Sequence, residues 1–555
     1  MDTDLIRRDL VQTYLQSSAR GLKQTSKWAA ELLLSLPVVA EPCMSGSFVH
    51  AGNRTLDESC FLQTGPGVDV DYFMAKSCYD LLEFDRAAFY SSRAVTKECR
   101  FLHFYCRYLA ADKKRLDLMA ETNNSSQITT PMNSVSMDVS LNIFSELRND
   151  LTKEYADGNL DDDSFILYVY AIVLLKLDLN DEAVKVLCQS LKCEPTNWAS
   201  WHQLAVVIDD KNLIDTLDLP VQWMKRFFIG LVYLEHQMNE EALLVYEPLL
   251  EVFEKSNYVL TQLAIGKNNL RDANAAIEVF RAVRASDPWR LEAMDTYSNL
   301  LYVKGMRADL SSLAHSVNNI DPFRVETCCC IGNFYSLRGQ HAKAVTYFSR
   351  ALQLNPKHLS AWTLMGHEYM EMKNTGAAIQ AYRSAIKCNK RDFRAWYGLG
   401  QTFEIQKANS HCLYYYSIAR SLFPNDARLT IAMGDTLEKL ERYPDALKCY
   451  WKAGYTALTK LAALYEKLGE KEKAAAAYSD FIAKSDNPMT EEITQTATNV
   501  TELSVAYKFI SSYYFEKKNY EEAYKAAEKC TMFPDTKEHG KQLCSQILKA
   551  KSTSS

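Results

Sequence analysis

The stretch IGNFYSLRGQHAKAVTYFSRALQLNP, residues 331–356, decides how this chain is read. Its Gly332 sits in a helical pattern, and Gly366 follows thirty-four residues later in WTLMGHEYMEMKNTGAAIQAYRSAI (362–386). A further step of thirty-four reaches Gly400 in WYGLGQTFEIQ (396–406), and the next reaches Gly434 in IAMGDTLEKL (431–440). Counting backward by the same step gives Ser298, Ala264 and Gly230, each a small residue. Seven registers without a slip define an internal repeat, and a period of this length marks a stacked helical array.

Other positions keep the same phase. Tyr335, Tyr369 and Phe403 stand three after the small residue, and Ala344, Ala378 and Ala446 stand twelve after it. Sixteen after it come Phe348, Tyr382, Tyr416 and Tyr450; Pro288, Pro322, Pro356 and Pro424 fall twenty-four after it. The spacing predicts a first helix that buries a large residue, a small one and an aromatic at i, i+4 and i+7, as in Trp362, Gly366 and Tyr369. The small residue lets a second helix approach closely, and proline ends that helix because it cannot extend the hydrogen-bond ladder. The pattern resembles the tetratricopeptide repeat. The expected fold is all-α: a tetratricopeptide-repeat superhelical solenoid of antiparallel helix pairs.

The same pattern extends in both directions. Ala171 and Ala205 form an upstream pair in phase with each other, and looser repeats centre on Ala75, Ala462 and Ser511. Eleven to thirteen helix pairs are expected, enough for more than one superhelical turn. Residues 41–68 lack apolar periodicity, and residues 121–138, ETNNSSQITTPMNSVSMD, are polar. Both read as flexible surface loops.

Composition excludes several classes. The 555 residues exceed what one ordinary core supports, so a repeat array or several domains are required. Gly (19) and Pro (14) are too scarce for a turn-rich sandwich or barrel. A formal charge of −6 supplies no general attraction for nucleic acid or an anionic membrane. The aromatic residues fall where a repeat core needs them, so base stacking is not expected either. The start MDTDLIRRDL lacks the apolar run of a signal peptide, and no stretch of about 18 apolar residues occurs. An intracellular, soluble protein is expected, with Asn53 and Asn123 unglycosylated. The fifteen cysteines, including Cys328-Cys329-Cys330, contain no CxxC and read as buried free thiols.

The sequence carries no complete catalytic or cofactor motif. His367-Glu368 could open an HExxH zinc helix, but the second histidine position is Glu371, so both read as polar residues on a helix surface. No GxGxxG or GxxxxGK[ST] occurs, and the histidines do not cluster with cysteines or a candidate nucleophile. Neither a metal nor a cofactor is expected, and the chain reads as a non-enzyme. Thr130-Pro131 is the only Ser/Thr-Pro pair, placed in the polar loop within reach of a proline-directed kinase. Thr130 is therefore a phosphorylation candidate.

A narrower resemblance is carried by SARGLKQTSKWAAELLLSL (18–36), by IDPFRVETCCCIGNFYSLRGQHAKAVTYFSRALQLNP (320–356) and by residues 361–407. MDTYSNLLYV (294–303), LYYYSIARSLFPND (413–426) and LKLDLNDEAVKVL (175–187) extend it. These segments look like subunit 8 of the anaphase-promoting complex, the Cdc23 family. The resemblance implies a non-catalytic scaffold subunit of a large cell-cycle ubiquitin ligase, present in nucleus and cytoplasm. It implies a homodimer, stacking with other tetratricopeptide-repeat and scaffold subunits, and docking of an activator subunit of the Cdc20/Cdh1 type through a basic motif. Residues 1–220 would dimerise, supported by the apolar run FILYVYAIVLLKL (165–177), unless those apolar faces only stack repeats within one chain; residues 221–550 would form the partner-binding superhelix. Two other readings compete. A co-chaperone clamp for acidic tails would find Asn333 and Arg394 in place, but Cys329 and Leu364 stand where it needs lysine and asparagine. A repeat-bearing glycosyltransferase would need a catalytic domain for which no span remains.

Helix geometry locates the expected partner groove. Residues one step past the core stripe are rotated by about 100° and leave the core. They are Asn333, then Thr363 and His367, then Tyr397, Gln401 and Glu404, then Asp435 and Glu438, with Glu371 one step further round. This lining is acidic, with few bases apart from Arg394 and Arg428, and suits a basic motif with an apolar neighbour.

Overall fold

A computed structural model describes residues 3–37, 70–93, 96–125, 135–158, 160, 163–208, 212–270, 272–424, 426–485 and 497–554. Thr130 and the segment 41–68 lie outside them. Among the described residues there is no β-strand, and no helix is long and apolar enough to cross a membrane. The fold is all-α, built from the expected antiparallel helix pairs. It divides into two compact units, Met1–Leu300 and Leu301–Ser555.

In the second unit the Gly332 repeat pairs Val325–Leu337 with His341–Leu354, and the Gly366 repeat pairs Leu359–Glu371 with Thr375–Cys388. The Gly400 repeat pairs Phe393–Ile405 with Asn409–Leu422, and the Gly434 repeat pairs Ala427–Lys439 with Tyr443–Ala453. A 3-10 turn, Gly454–Ala457, leads into Leu458–Lys467 and Lys471–Ser485. The small residue does what its spacing predicts. A Cβ added to Gly366 would lie 2.6 Å from the Tyr382 ring, and one added to Gly434 would lie 2.6 Å from the Tyr450 ring. The aromatic sixteen residues on fills the space that a side chain on the glycine would occupy.

One constant of the repeat was not anticipated. The residue seven after the small one takes a left-handed backbone in successive repeats: Gly305, Gly339, Lys373, Lys407, Glu441 and Gly469 all have φ between 59° and 80°. The next amide then closes the first helix, as Asn374 N–H donates to the Tyr369 carbonyl at 2.8 Å and Ala408 N–H to the Phe403 carbonyl at 3.0 Å. This six-to-one bond belongs to the Schellman helix end, which needs one left-handed residue. Gly305, Gly339 and Gly469 in one register were the signal available in the sequence.

In the first unit the N-terminal pair, Thr3–Ala19 and Lys23–Ser35, folds onto repeats far along the chain. Trp28 stacks on Trp198 with ring centroids 4.1 Å apart, and Asp9 Oδ2 accepts from Gln222 Nε2 and Trp223 Nε1, each at 2.9 Å. Glu31 pairs at 2.5 Å with Arg290, whose side chain is 6% exposed.

Three expectations are corrected here. The run FILYVYAIVLLKL lies on the helix Ser164–Lys176, and every residue from Ser164 to Leu174 is buried within this chain. Its apolar character serves the core of its own unit, so it presents no face for dimerisation. Of the segment 121–138 expected as a loop, residues 121–125 belong to helix Lys97–Ser125 and residues 135–138 to helix Val135–Ala156, while 126–134 lie outside the described residues. Polar composition by itself does not separate a loop from a helix. The cysteines do not all fit the buried reading: Cys328, Cys329 and Cys330 are buried, whereas Cys193 and Cys388 are exposed.

Candidate functional site

Three positions of each first helix share one stripe: three before the small residue, one after it and four after it. In the last two glycine repeats this stripe carries Tyr397, Gln401 and Glu404, then Ile431, Asp435 and Glu438. The tyrosine packed on the glycine is long enough for its hydroxyl to reach past the backbone onto the stripe. Tyr416 donates to Glu404 Oε2 at 2.9 Å, and Tyr450 donates to Asp435 Oδ1 at 2.7 Å with Glu438 Oε2 at 3.2 Å. In the Gly366 repeat Tyr382 reaches His367 Nδ1 at 2.8 Å instead. In the Gly332 repeat the aromatic is Phe348, which has no hydroxyl to offer. Burial and the adjoining carboxylates push the Tyr416 and Tyr450 hydroxyls well above the usual tyrosine range, so both remain protonated donors.

The carboxylates also have a second kind of partner, which the sequence reading missed. Lys439 Nζ lies 2.5 Å from Glu404 Oε1, Lys460 Nζ lies 2.5 Å from Asp435 Oδ2, and Lys467 pairs with Glu438 Oε1. The stripe is therefore not short of bases. Hydrogen bonds to these acids raise the ammonium pKa of Lys439 and of Lys467 above the usual lysine value. The lysine side chains are 47%, 45% and 64% exposed against 32%, 29% and 22% for their acids, so each ammonium is the outer member of its pair. Exposed pairs of this kind contribute only about 0.2–1 kcal/mol each.

The remaining expected residues divide. Tyr397 joins the acidic cluster: its ring centroid lies 5.4 Å from that of Tyr416, and the charges of Arg428, Glu404 and Asp435 reach it. Asn333 and Thr363 are buried, and the Thr363 hydroxyl donates to the Ser360 carbonyl at 2.9 Å, so neither presents a polar group to a partner. Glu371 is exposed, next to the end of its helix. His367 is held neutral, its pKa pushed down to about 4 by burial and, secondarily, by the Arg394 charge.

Glu368 corrects the surface reading of His367-Glu368. It is 4% exposed and accepts from Ser336 Oγ at 2.6 Å, with His341 Nδ1 at 2.8 Å. Ser336 also lies 3.1 Å from the Tyr302 hydroxyl; having one proton, which it gives to Glu368, it accepts from Tyr302. This hydrogen-bonded chain ties neighbouring repeats together. Beside it, Tyr302, Arg307, Phe334 and Arg338 line a cleft of about 850 Å³, with the Arg338 guanidinium over the Phe334 ring at 5.0 Å. Among the described residues no group of three or more His, Cys, Asp or Glu is arranged to hold a metal ion.

Comparison with known proteins agrees with this architecture. The model of the anaphase promoting complex subunit 8 / Cdc23 family matches residues 5–264, and tetratricopeptide-repeat models match residues 325–358, 363–427 and 456–487. The cell division cycle protein 23 homolog of Mus musculus is 44% identical over 321 residues, 58% of this chain and 50% of that protein. Anaphase-promoting complex subunit 8 of Arabidopsis thaliana is 38% identical over 340 residues, 56% of this chain and 56% of that protein. The matches span about half the length of these curated relatives. Among solved structures, a chain of the APC/C hetero-tetramer Cut9–Hcn1 aligns with TM-score 0.52 at 15% identity, covering 87% of this chain and 96% of that one. That likeness concerns the fold.

Proposed function

We propose, from the premise that this tetratricopeptide-repeat chain belongs to the anaphase-promoting complex subunit 8 / Cdc23 family, that it is a non-catalytic scaffold of that cell-cycle ubiquitin ligase. In this reading it stacks with other repeat subunits, and a basic motif of an activator docks along the stripe of its first helices. The observation that carries the docking site is the cluster of Glu404, held by the Tyr416 hydroxyl, with Asp435 and Glu438, which share the Tyr450 hydroxyl, both tyrosines being packed on a repeat glycine. Carboxylates held in this way present fixed acceptors for guanidinium groups, and Tyr397 offers a ring to cover an arginine stem. One ion pair is too weak to hold a motif, since micromolar binding needs about −8 kcal/mol. Several contacts must act together.

Residues 1–220 are the proposed dimerisation region and residues 221–550 the partner-binding region. With the helix Ser164–Lys176 buried inside its own unit, support for dimerisation shifts to the pair Val70–Asp80 and Phe84–Ser91. There Phe73, Leu81, Leu82 and Phe89 are 57%, 72%, 60% and 56% exposed. Phe73→Ser with Phe89→Ser should leave the helices intact and convert a dimer to a monomer in light scattering. A wild-type chain that is monomeric at micromolar concentration removes the dimer reading.

Affinity purification of the full chain from dividing cells should recover the other subunits of the ligase. Glu404→Lys with Glu438→Lys should retain those subunits and lose the activator. Undiminished activator recovery at matched salt would show that the docking site lies elsewhere.

A further inference from the structure

The acids of the proposed docking stripe are already occupied. Lys439, at the end of the first helix of the Gly434 repeat, reaches back to Glu404 in the preceding repeat; Lys460 and Lys467, on Leu458–Lys467, reach back to Asp435 and Glu438. Glu404 thus has the Tyr416 hydroxyl on its buried side, Asp435 and Glu438 share the one hydroxyl of Tyr450, and each acid has a lysine ammonium on its solvent side. The two partners are not equivalent. The tyrosine ring is locked between helices by the glycine beneath it, so its hydroxyl cannot leave. The lysine is a flexible, well-hydrated point charge that gives up little by returning to water.

We propose that Lys439, Lys460 and Lys467 are built-in competitors for the docking stripe, and that a basic motif binds there by exchanging its arginines for these ammonium groups. The proposal rests on the reading of the stripe as a docking site for a basic motif and adds how that site selects its ligand. Exchange makes binding nearly neutral in Coulomb energy, because one cation replaces another. What remains is the advantage of arginine over lysine: a planar fork that can bond both carboxylate oxygens at once, and a face that stacks on a ring such as Tyr397. A lysine-rich segment offers the stripe nothing that it does not already hold. The lysines therefore subtract the same displacement cost from every basic chain, so a lysine segment is left with no net gain while an arginine motif keeps its extra bonds and stacking.

The test uses the full chain and two fluorescent tetrapeptides, one with arginine at both ends and two leucines between, the other with lysine at both ends. Wild type should bind the arginine peptide at least tenfold more tightly than the lysine peptide. Replacing Lys439, Lys460 and Lys467 together by Gln should tighten both by roughly tenfold, given several pairs of modest strength, and leave the ratio between them as in wild type, because either peptide displaces the same ammonium groups. A charge-matched control, Lys387→Gln, Lys448→Gln and Lys452→Gln on exposed faces of second helices, should bind as wild type. Amine labelling read by mass spectrometry supplies a direct view of exchange: saturating arginine peptide should raise the acylation rate of Lys439, Lys460 and Lys467 in wild type. Replacing Glu404, Asp435 and Glu438 by Gln separates the two claims. If that variant keeps wild-type affinity, the docking stripe itself is wrong, and the competitor proposal falls with it. If it loses binding while the lysine variant binds no better than wild type, or no better than the control, only the competitor proposal is overturned.

Discussion

Tyr416 lies with its ring against the backbone of Gly400 and its hydroxyl 2.9 Å from Glu404, so one side chain both packs the repeat and orients an acid on its polar stripe. The ring and the hydroxyl can be separated by mutation. Tyr416→Phe keeps the packing and leaves Glu404 with Lys439 alone. The loss of a charge-assisted hydrogen bond should cost about 1–2 kcal/mol, read as a lower thermal midpoint with helicity unchanged. Affinity for the arginine peptide should fall as well. A variant as stable as wild type would show that the hydroxyl adds nothing.

Gly366 tests the packing half. Alanine is the better helix former by about 1 kcal/mol, so on propensity alone Gly366→Ala should stabilise. The Tyr382 ring occupies the space the new methyl needs, with 2.6 Å between them, so overpacking should win. A net loss of about 1–2 kcal/mol is expected from thermal unfolding. A rise in the midpoint would refute the close-approach reading.

Lys407, with φ of 59°, carries left-handed strain that glycine would not. Such a conformation costs a side-chain-bearing residue about 1–2 kcal/mol, and glycine loses about 0.5–1 kcal/mol more backbone entropy on folding. Lys407→Gly should therefore stabilise slightly, by up to about 1 kcal/mol, whereas Gly339→Val in the same register should destabilise. Opposite signs at equivalent positions are the readout, measured by thermal melting of each full-length variant.

His367 predicts a pH effect. Its folded pKa, pushed down to about 4, lies below the ordinary histidine value of 6.5. Between these values the unfolded chain binds a proton that the folded chain does not, so the contribution is fully present above pH 6.5 and is lost as pH falls toward 4. Wild type should lose on the order of 1–3 kcal/mol more than His367→Gln between pH 7 and pH 4.5. Urea unfolding of both proteins across that range measures it; parallel curves would mean that the imidazole takes up its proton without cost.

Much of this molecule was legible before any coordinate. Helix formation and the division into core and solvent faces follow from spacing along the chain, because helical periodicity is local and every repeat solves the same packing problem. Gly332, Gly366, Gly400 and Gly434 therefore pointed to their aromatic partners sixteen residues on, and the partners are where the register places them. The same arithmetic put Tyr397, Glu404, Asp435 and Glu438 on one polar stripe. It failed where neighbouring elements override the rotation about a single helix axis. Asn333 and Thr363 have the right phase but are covered, and Glu368 has the phase of a surface residue but is buried with Ser336 and His341.

By itself, then, the sequence determined the helical pairs, their period and the side each turns to its core, since these depend on contacts that recur at a fixed interval. Only the tertiary structure decided which charges meet. Lys439 is thirty-five residues from Glu404, Lys460 twenty-five from Asp435 and Lys467 twenty-nine from Glu438. These separations share no period, because each is set by how one helix pair is rotated and shifted on the next and by how far a flexible side chain reaches. Electrostatic partners are chosen by distance in space, and no spacing rule along the chain encodes that distance.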